Sequence, residues 1–219
     1  PDRVALYGYA HVPWMAKRQV MIPADALPDA EERLELFDIA RDLFLWDGYQ
    51  EIGIDHYARA DDSLAVAERN GTMHRNFQGY TDDTAEYLIG IGASAISRYP
   101  QGFAQNISTS STYATAIESG QLATARGHAM SDDDTLRADM IERLMCDFTL
   151  DLPTMAEKHG VPLRKLLTMT ERMRGRFHDQ LTVSGDVIKL DANARLIARL
   201  CAQEIDAYLM PEGRHSRAL

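Results

Sequence analysis

The order of hydrophobic and polar positions changes in character about halfway along the chain. In the first half, β-type runs alternate with segments of helical period. The pattern predicts strands over Val4–Tyr9, Gln50–Tyr57 and Tyr87–Ser97, and helices over Asp29–Trp46 and Asp61–Arg69. Because strands that alternate with helices usually form parallel βα units, we expect parallel pairing in this half.

The second half has helical periodicity and ends in a hairpin signal and a last helix. Ser131, followed by three aspartates, is typical of a helix start, and Pro153 and Pro162 each open a further helix. Leu181–Leu190 predicts two short strands around a Ser-Gly-Asp turn, and Asn193–Leu209 predicts the last helix. Three helices followed by a hairpin form the outline of a winged helix.

Together these patterns predict an α/β fold in two units. Residues 1–122 carry the strand–helix alternation, and residues 123–219 form a helical, winged-helix-like unit. The length of 219 residues is enough for one large domain or two small ones.

Composition and charge exclude some classes of function. Hydrophobic residues make up 45% of the chain and charged residues 26%, which is ordinary for a globular protein. The formal net charge of −10 gives no general attraction to nucleic acid or to an anionic membrane. Arg172 and Arg174 lie on the third helix of the second half, as in a recognition helix. Acids and bases nearly cancel in that half, so we favour a solvated or inter-domain face and expect no specific nucleic-acid partner.

The two cysteines, Cys146 and Cys201, fall in separate helical stretches. This usage fits a reducing cytoplasm, and two thiolates are too few for an iron–sulfur cluster. No apolar run approaches the roughly 18 residues that span a bilayer, so no membrane partner is expected. The chain opens on Pro1-Asp2 directly before an apolar strand, which we interpret as the start of a fragment.

Several polar residues invite a metal-site interpretation, namely His11, Asp55, His56 and His74. If Asp55 and His56 are neighbours on one strand, their side chains point to opposite faces. The spacing therefore favours hydrogen-bonding roles at strand ends, and no metal site is expected.

The chain resembles the oxygen-independent coproporphyrinogen III oxidases, a family of radical S-adenosylmethionine enzymes of haem synthesis. The most specific segment is His74–Thr81, with the sequence HRNFQGYT. The other segments that carry the resemblance, in chain order, are Tyr9–Pro13, Gly53–Ala58, Asp61–Ala67, Gly90–Ser97, Ala104–Asn106, Leu144–Phe148 and Ser216–Leu219. The resemblance covers the whole chain and corresponds to the C-terminal half of the family.

The resemblance implies that residues 1–122 supply the later βα units of a partial (β/α)6 barrel. It implies oxidative decarboxylation of two propionates of coproporphyrinogen III to vinyl groups, which gives protoporphyrinogen IX. S-adenosylmethionine and a [4Fe–4S] cluster serve as cofactors of the full-length enzyme. The family's three cluster cysteines are absent from this chain, so the chain alone is expected to be inactive. The implied enzyme is cytoplasmic and takes a tetrapyrrole, and its electron donor and acceptor remain unidentified.

The same resemblance implies the site residues. Phe77 and Gln78 would be catalytic, because phenylalanine offers a flat apolar wall and glutamine an oriented amide that cannot ionise. Ala10 and Ile96 would bind S-adenosylmethionine through backbone groups and shape. The alternative is structural: Phe77 in the core, Gln78 a satisfied amide, and the other two ordinary strand residues. For the whole chain, the alternatives are an inactive truncated piece and a haem-binding relative such as a haem chaperone.

Overall fold

The structure is a computed structural model that describes residues 1–14 and 16–208. Two features of the sequence lie outside these residues: Leu209, the last residue of the final predicted helix, and the resembling tail Ser216–Leu219. Among the described residues, no helix combines the length and apolar character that crossing a membrane requires.

The chain begins with a three-stranded antiparallel sheet in the order β1-β3-β2. Its elements are β1 (Arg3–Ala5), α1 (Ala30–Trp46), β2 (Tyr49–Ile52), β3 (His56–Arg59) and α2 (Ser63–Arg69). Two short 3-10 helices, Lys17–Met21 and Ala24–Ala26, lie between β1 and α1.

The predicted first helix is confirmed, and its start follows from capping chemistry. The Asp29 side chain accepts from the backbone N–H groups of Glu31 and Glu32, and the Glu32 carboxylate accepts from the Asp29 backbone. Near the other end, Phe44 packs on Tyr57 with ring centroids 4.7 Å apart. None of the residues of α1 is buried.

A hairpin (β4, His74–Asn76; β5, Gly79–Thr81) follows, and then a second three-stranded antiparallel sheet. That sheet contains β6 (Ile96–Tyr99), β7 (Gly102–Asn106) and β8 (Thr124–Ala129), with α3 (Ser110–Glu118) between β7 and β8. Because β8 pairs with β7, residues 124–129 lie with the first unit. The division into two units remains a proposal, and we now place its boundary after Met130.

Four expectations for the first half are wrong. The strand predicted over Val4–Tyr9 is shorter, since β1 ends at Ala5. Gln50–Tyr57 is not one strand, because Gly53, at φ +59°, turns the chain and makes β2 and β3 a hairpin. Tyr87–Ser97 is mostly loop, because the Asn106 side-chain amide donates to the carbonyls of Gly90 and Gly92. Parallel pairing is not found either, since every strand pairing among the described residues is antiparallel.

The second unit shows three helices followed by a hairpin, as its sequence predicts. Its elements are α4 (Asp132–Asp147), β9 (Thr149–Asp151), α5 (Leu152–Lys158), α6 (Leu163–Arg176), β10 (Leu181–Ser184), β11 (Val187–Leu190) and α7 (Ala198–Ile205). Ser131 begins α4 with a capping box that includes Asp134. The last predicted helix is split, since a 3-10 helix, Ala192–Ile197, precedes α7.

The two units share their buried cores. Most of the main apolar cluster comes from the second unit, but Ile54 of the first unit is also part of it. A smaller cluster in the first unit includes Cys146 from α4. Tyr80 links the two, since its hydroxyl donates to the Met145 carbonyl at 2.9 Å and accepts from the Ile54 N–H at 3.3 Å. The β4–β5 hairpin is therefore held against the helical unit.

Candidate functional site

The turn of the β4–β5 hairpin presents Phe77 and Gln78 side by side. The turn is tightened by the Asn76 side chain, which accepts from the Gln78 N–H at 2.8 Å. The Phe77 side chain is 54% exposed, so it is not the core residue that the structural alternative requires. Gln78 is exposed as well, and its side-chain amide makes no hydrogen bond within the described residues. Both side chains are free to contact a ligand.

Phe77 also joins the hairpin to the second sheet. Its ring meets the ring of Phe103 on β7 edge to face, with centroids 5.4 Å apart. Phe103 in turn lines an open cavity of about 370 Å³, whose wall includes Met130 and Ile141. An apolar surface therefore extends from Phe77 across β7 to α4, which suits a large flat ligand.

A buried histidine lies beneath the turn. His56 Nδ1 is 2.7 Å from a carboxylate oxygen of Asp55, and the imidazole meets Tyr80 edge to face. Its other nitrogen, Nε2, lies 2.7 Å from the point that a Cβ on Gly79 would occupy. Gly79 has φ +138°, so both its conformation and this close approach favour glycine. The imidazole thus supports the main chain directly after Gln78.

The Asp55 carboxylate is buried and ionised. Its burial by itself would raise the pKa, but the hydrogen bond from His56 and the charge of Arg199 on α7 outweigh burial and lower the pKa below its ordinary value. The sequence-based argument that Asp55 and His56 point to opposite faces is wrong. Asp55 lies in the turn before β3, where the alternation of a strand does not apply.

The two residues expected to bind S-adenosylmethionine lie in separate elements. Ala10 is exposed on the loop after β1, and its carbonyl accepts from the Gln19 side chain at 3.0 Å. Ile96 begins β6, is partly buried and pairs with Gln105 on β7. Gly90 covers the main chain of Ile96, because a Cβ there would lie 2.8 Å from the Ile96 carbonyl carbon. Ile96 therefore offers its side chain rather than a free backbone face. The role of both residues stays a proposal.

The two thiols do not suit an iron–sulfur cluster. Cys146 and Cys201 are both buried, and burial raises the pKa of Cys146 to about 12 and that of Cys201 to about 11. Neutral buried thiols are poor iron ligands. Across residues 1–14 and 16–208, no group of three or more His, Cys, Asp or Glu side chains is arranged to hold a metal ion.

The remaining histidines of the metal hypothesis have hydrogen-bonding neighbours. His74 Nδ1 lies 3.3 Å from Glu142 on α4, and His11 Nδ1 lies 3.4 Å from the Tyr9 hydroxyl. From their residue type, Tyr7, Tyr9, Tyr57 and Tyr80 are expected to fill the interior of the fold, and Tyr57 and Tyr80 are buried as that expectation requires. Tyr7 and Tyr9 are exposed at 60% and 45%, so for them that expectation is wrong.

Sequence reasoning missed Arg199 in this region and gave Tyr7 only a filling role. Arg199 lies 144 residues after Asp55, and no local pattern in α7 distinguishes it from other helix arginines. Tyr7 lies next to His56, with ring centroids 6.2 Å apart. The available signal was its place between β1, which ends at Ala5, and Ala10.

Comparison with known proteins identifies the relatives of the chain. The oxygen-independent coproporphyrinogen III oxidase of Paracoccus denitrificans is 50% identical over all 219 residues, which make up 49% of that protein. The one of Bradyrhizobium diazoefficiens is 43% identical, again over the whole chain and 49% of the relative. The solved structure of the coproporphyrinogen III oxidase from Escherichia coli, a radical SAM enzyme, matches with a TM-score of 0.89 and 34% identity, over 95% of this chain and 49% of that one. No protein-family model matches.

The described α/β fold is thus that of part of a radical SAM enzyme, as expected from the sequence. More particularly, the chain is related over its whole length to the oxygen-independent coproporphyrinogen III oxidases, and it matches their C-terminal half. It spans about half the length of the curated relatives it matches.

Proposed function

We propose that the chain forms the C-terminal part of an enzyme that oxidatively decarboxylates two propionates of coproporphyrinogen III to vinyl groups, giving protoporphyrinogen IX. The observation that carries this proposal is the 50% identity to the Paracoccus oxidase over all 219 residues. The exposed Phe77 and Gln78 on a supported turn add to it, because they offer a flat wall and an uncommitted amide. A cytoplasmic location belongs to the same proposal and agrees with two free thiols.

The cofactors fit the described residues unequally. The [4Fe–4S] cluster does not fit, because both thiols are buried and separate, so its ligands belong to the other half of the enzyme in this proposal. S-adenosylmethionine fits better, since Gln78 has a free amide and Ala10 is exposed. When bound, these cofactors together supply the radical chemistry that removes a hydrogen atom from the propionate β-carbon.

In this proposal, the residues of this chain position the substrate and S-adenosylmethionine. Gln78 holds a carboxylate or other polar group of a ligand by its amide, and Phe77 sets the plane of the ring beside it. Ala10 lets a ligand approach the main chain, and Ile96 packs against an adenine face. The Phe77–Phe103 surface excludes water from the reacting carbon, which protects it from side reactions. Carbon dioxide then leaves, and one electron passes to an acceptor.

A hybrid enzyme tests this function. Residues 1–219 replace the matching half of the Paracoccus denitrificans oxidase, and the hybrid is reconstituted with iron and sulfide under anaerobic conditions. We expect S-adenosylmethionine cleavage and protoporphyrinogen from the hybrid and from the unchanged Paracoccus enzyme, and no product from this chain alone. A folded hybrid that carries the cluster and forms no product contradicts the proposal. Tight haem binding without turnover would favour the haem-binding relative instead.

A further inference from the structure

One arginine near the candidate site has no acid as its partner. Arg75 lies on β4, and its Nε atom is buried without any hydrogen bond. Its guanidinium lies over the Tyr80 ring, 5.0 Å from the centroid. No ion pair of its side chain is found within the described residues. The nearby Glu142 accepts instead from the Arg75 backbone N–H and faces His74. A partly buried cation without an anion is costly, so this side chain is suited to a ligand's anion.

Two further polar groups face the same region. His56 donates from Nδ1 to Asp55, and no hydrogen bond to its Nε2 is found in the described chain. Nε2 and the Tyr7 hydroxyl are close to one another in space. They lie 2.7 Å and 3.6 Å from the same point, the position that a Cβ would occupy if residue 79 were not glycine. Arg75, His56 and Tyr7 come from three separate segments of the chain, and all three lie near the β4–β5 hairpin.

Aromatic contacts tie Arg75 to this group. The Tyr80 ring lies beneath the Arg75 guanidinium and also meets His56 edge to face, with centroids 5.1 Å apart. Since Arg75 and Tyr80 are directly paired across β4 and β5, their side chains share a face of the hairpin. The cation, the imidazole and the phenol thus line one continuous patch, and Gln78 immediately precedes Gly79.

The charge around this patch is positive. Asp55 is the acid in contact with His56, and Arg199 already neutralises it. Burial and the charge of Asp55 raise the pKa of Tyr7, which keeps its hydroxyl a hydrogen-bond donor. Burial likewise raises the pKa of Tyr80, so neither phenol adds negative charge near neutral pH. Arg75 makes no ion pair among the described residues, although it lies close enough to Asp55 to help lower the pKa of that carboxyl.

We propose that Arg75 and Tyr7 form a carboxylate-binding subsite beside His56, in which the guanidinium and the Tyr7 hydroxyl donate to one carboxylate of the substrate. Its ligand class is an aliphatic carboxylate carried by a flat apolar molecule, for which Phe77 and Phe103 provide the neighbouring surface. This inference rests on the proposed function, under which the ligand is a propionate of the tetrapyrrole. The subsite orients the substrate beside Gln78 and is distinct from the residues expected to bind S-adenosylmethionine.

The test measures binding of coproporphyrin III, a stable tetracarboxylate, to the hybrid oxidase described above by fluorescence anisotropy. We expect Arg75→Gln to raise the Kd by about 10- to 100-fold, because one charge-assisted contact is lost. The tetramethyl ester of the same porphyrin should bind wild type and Arg75→Gln alike. Tyr7→Phe, which removes only the hydroxyl, should raise the Kd by about three- to tenfold. Arg172→Gln is the matched control, since that arginine is 83% exposed on α6, and it should change nothing.

A second probe separates this subsite from the proposed function. Propionate alone is titrated into protein with ¹⁵N-labelled histidine, and the His56 ring signals are followed by NMR. If propionate shifts them in wild type and not in Arg75→Gln, the subsite stands even when coproporphyrin does not bind, and the proposed function then fails. If coproporphyrin binds wild type, Arg75→Gln and Tyr7→Phe equally, the subsite is overturned and the function survives. If neither probe binds wild type, both are overturned.

Discussion

Arg199, on α7, forms an ion pair with Asp55, which lies in the turn between β2 and β3. The two residues are 144 positions apart in the sequence. Asp55 in turn accepts from His56, whose ring packs under Gly79. The C-terminal helix is therefore connected, through three side-chain and backbone contacts, to the turn that carries Phe77 and Gln78.

We expect Arg199→Gln to lower the free energy of unfolding by about 1–3 kcal/mol, since it leaves a buried carboxylate without its cation. The figure is below that for a fully buried pair because the Arg199 side chain is 36% exposed and solvent screens part of its charge. Urea denaturation at neutral pH measures the loss. Arg164→Gln, at an exposed arginine of α6, serves as control. Equal midpoints for Arg199→Gln and wild type would show that the pair contributes nothing.

The same pair has a pH signature. The folded-state pKa of Asp55 is lowered, so its stabilisation is present above the unfolded pKa of about 3.9 and is lost as the pH falls through the folded value. Asp55→Asn should therefore be less stable than wild type at neutral pH, and its stability should fall less steeply in acid. Denaturation midpoints across the acid range give the two slopes, and parallel curves would count against the assignment.

Phe77→Leu and Gln78→Ala should leave stability almost unchanged, because both side chains are exposed. In the hybrid oxidase, we expect Gln78→Ala to slow formation of protoporphyrinogen by about 5- to 150-fold, the equivalent of one unsatisfied polar group of the ligand. Phe77→Leu should slow it through poorer ring placement. Cleavage of S-adenosylmethionine and product are followed together, with the cluster's absorption as control. Turnover at the wild-type rate in both variants would make these residues structural.

The isolated chain should remain colourless after anaerobic treatment with iron and sulfide. Its two thiols are buried on different helices, and burial holds their pKa values near 12 and 11, so neither supplies a thiolate readily. Iron analysis and the visible spectrum check this. A broad absorption that accompanies about four irons per chain would contradict it.

The helical unit should not bind duplex DNA specifically. Arg172 and Arg176 on α6 both face Glu204, and Lys165 pairs with Asp133, so much of the positive charge of this helix is already matched. We expect no salt-dependent binding with a Kd below about 1 μM, measured by fluorescence anisotropy with a labelled duplex. Tight binding that disappears in the double variant Arg172→Gln, Arg174→Gln would refute this.

Sequence patterns predicted the elements whose ends are fixed by local chemistry. Asp29 and Ser131 each form a capping box within four residues, so their helices begin where the sequence indicates. Gly185 and Asp186 form the two-residue turn between β10 and β11, which is also a local feature of the sequence. The prediction failed where a single glycine turns the chain, since Gly53 divides one apolar run into the two strands β2 and β3. Parallel pairing was wrong because a three-residue turn there returns the chain beside itself.

The candidate site was predicted only in part. Phe77 and Gln78 stand on one short hairpin, so a local motif was enough to find them, although their catalytic role remains to be tested. Arg75, His56 and Tyr7 come from three segments, and their meeting point depends on Gly79 and on the packing of Tyr80. No spacing rule connects segments that meet only through tertiary contacts. From its charge alone, Arg75 could be expected to pair with a propionate, and the structure adds that its Nε atom is buried without a hydrogen bond.

No residue of α1 is buried, so much of the stability of this helix comes from its own backbone hydrogen bonds and its capping box. Its contacts with the first sheet include Phe44, which packs on Tyr49 and Tyr57, and Arg41, which pairs with Glu51. In the isolated chain, its amide protons should exchange with solvent through local opening. Those around Leu144 and Leu166, in the shared core, are released only when the whole domain unfolds.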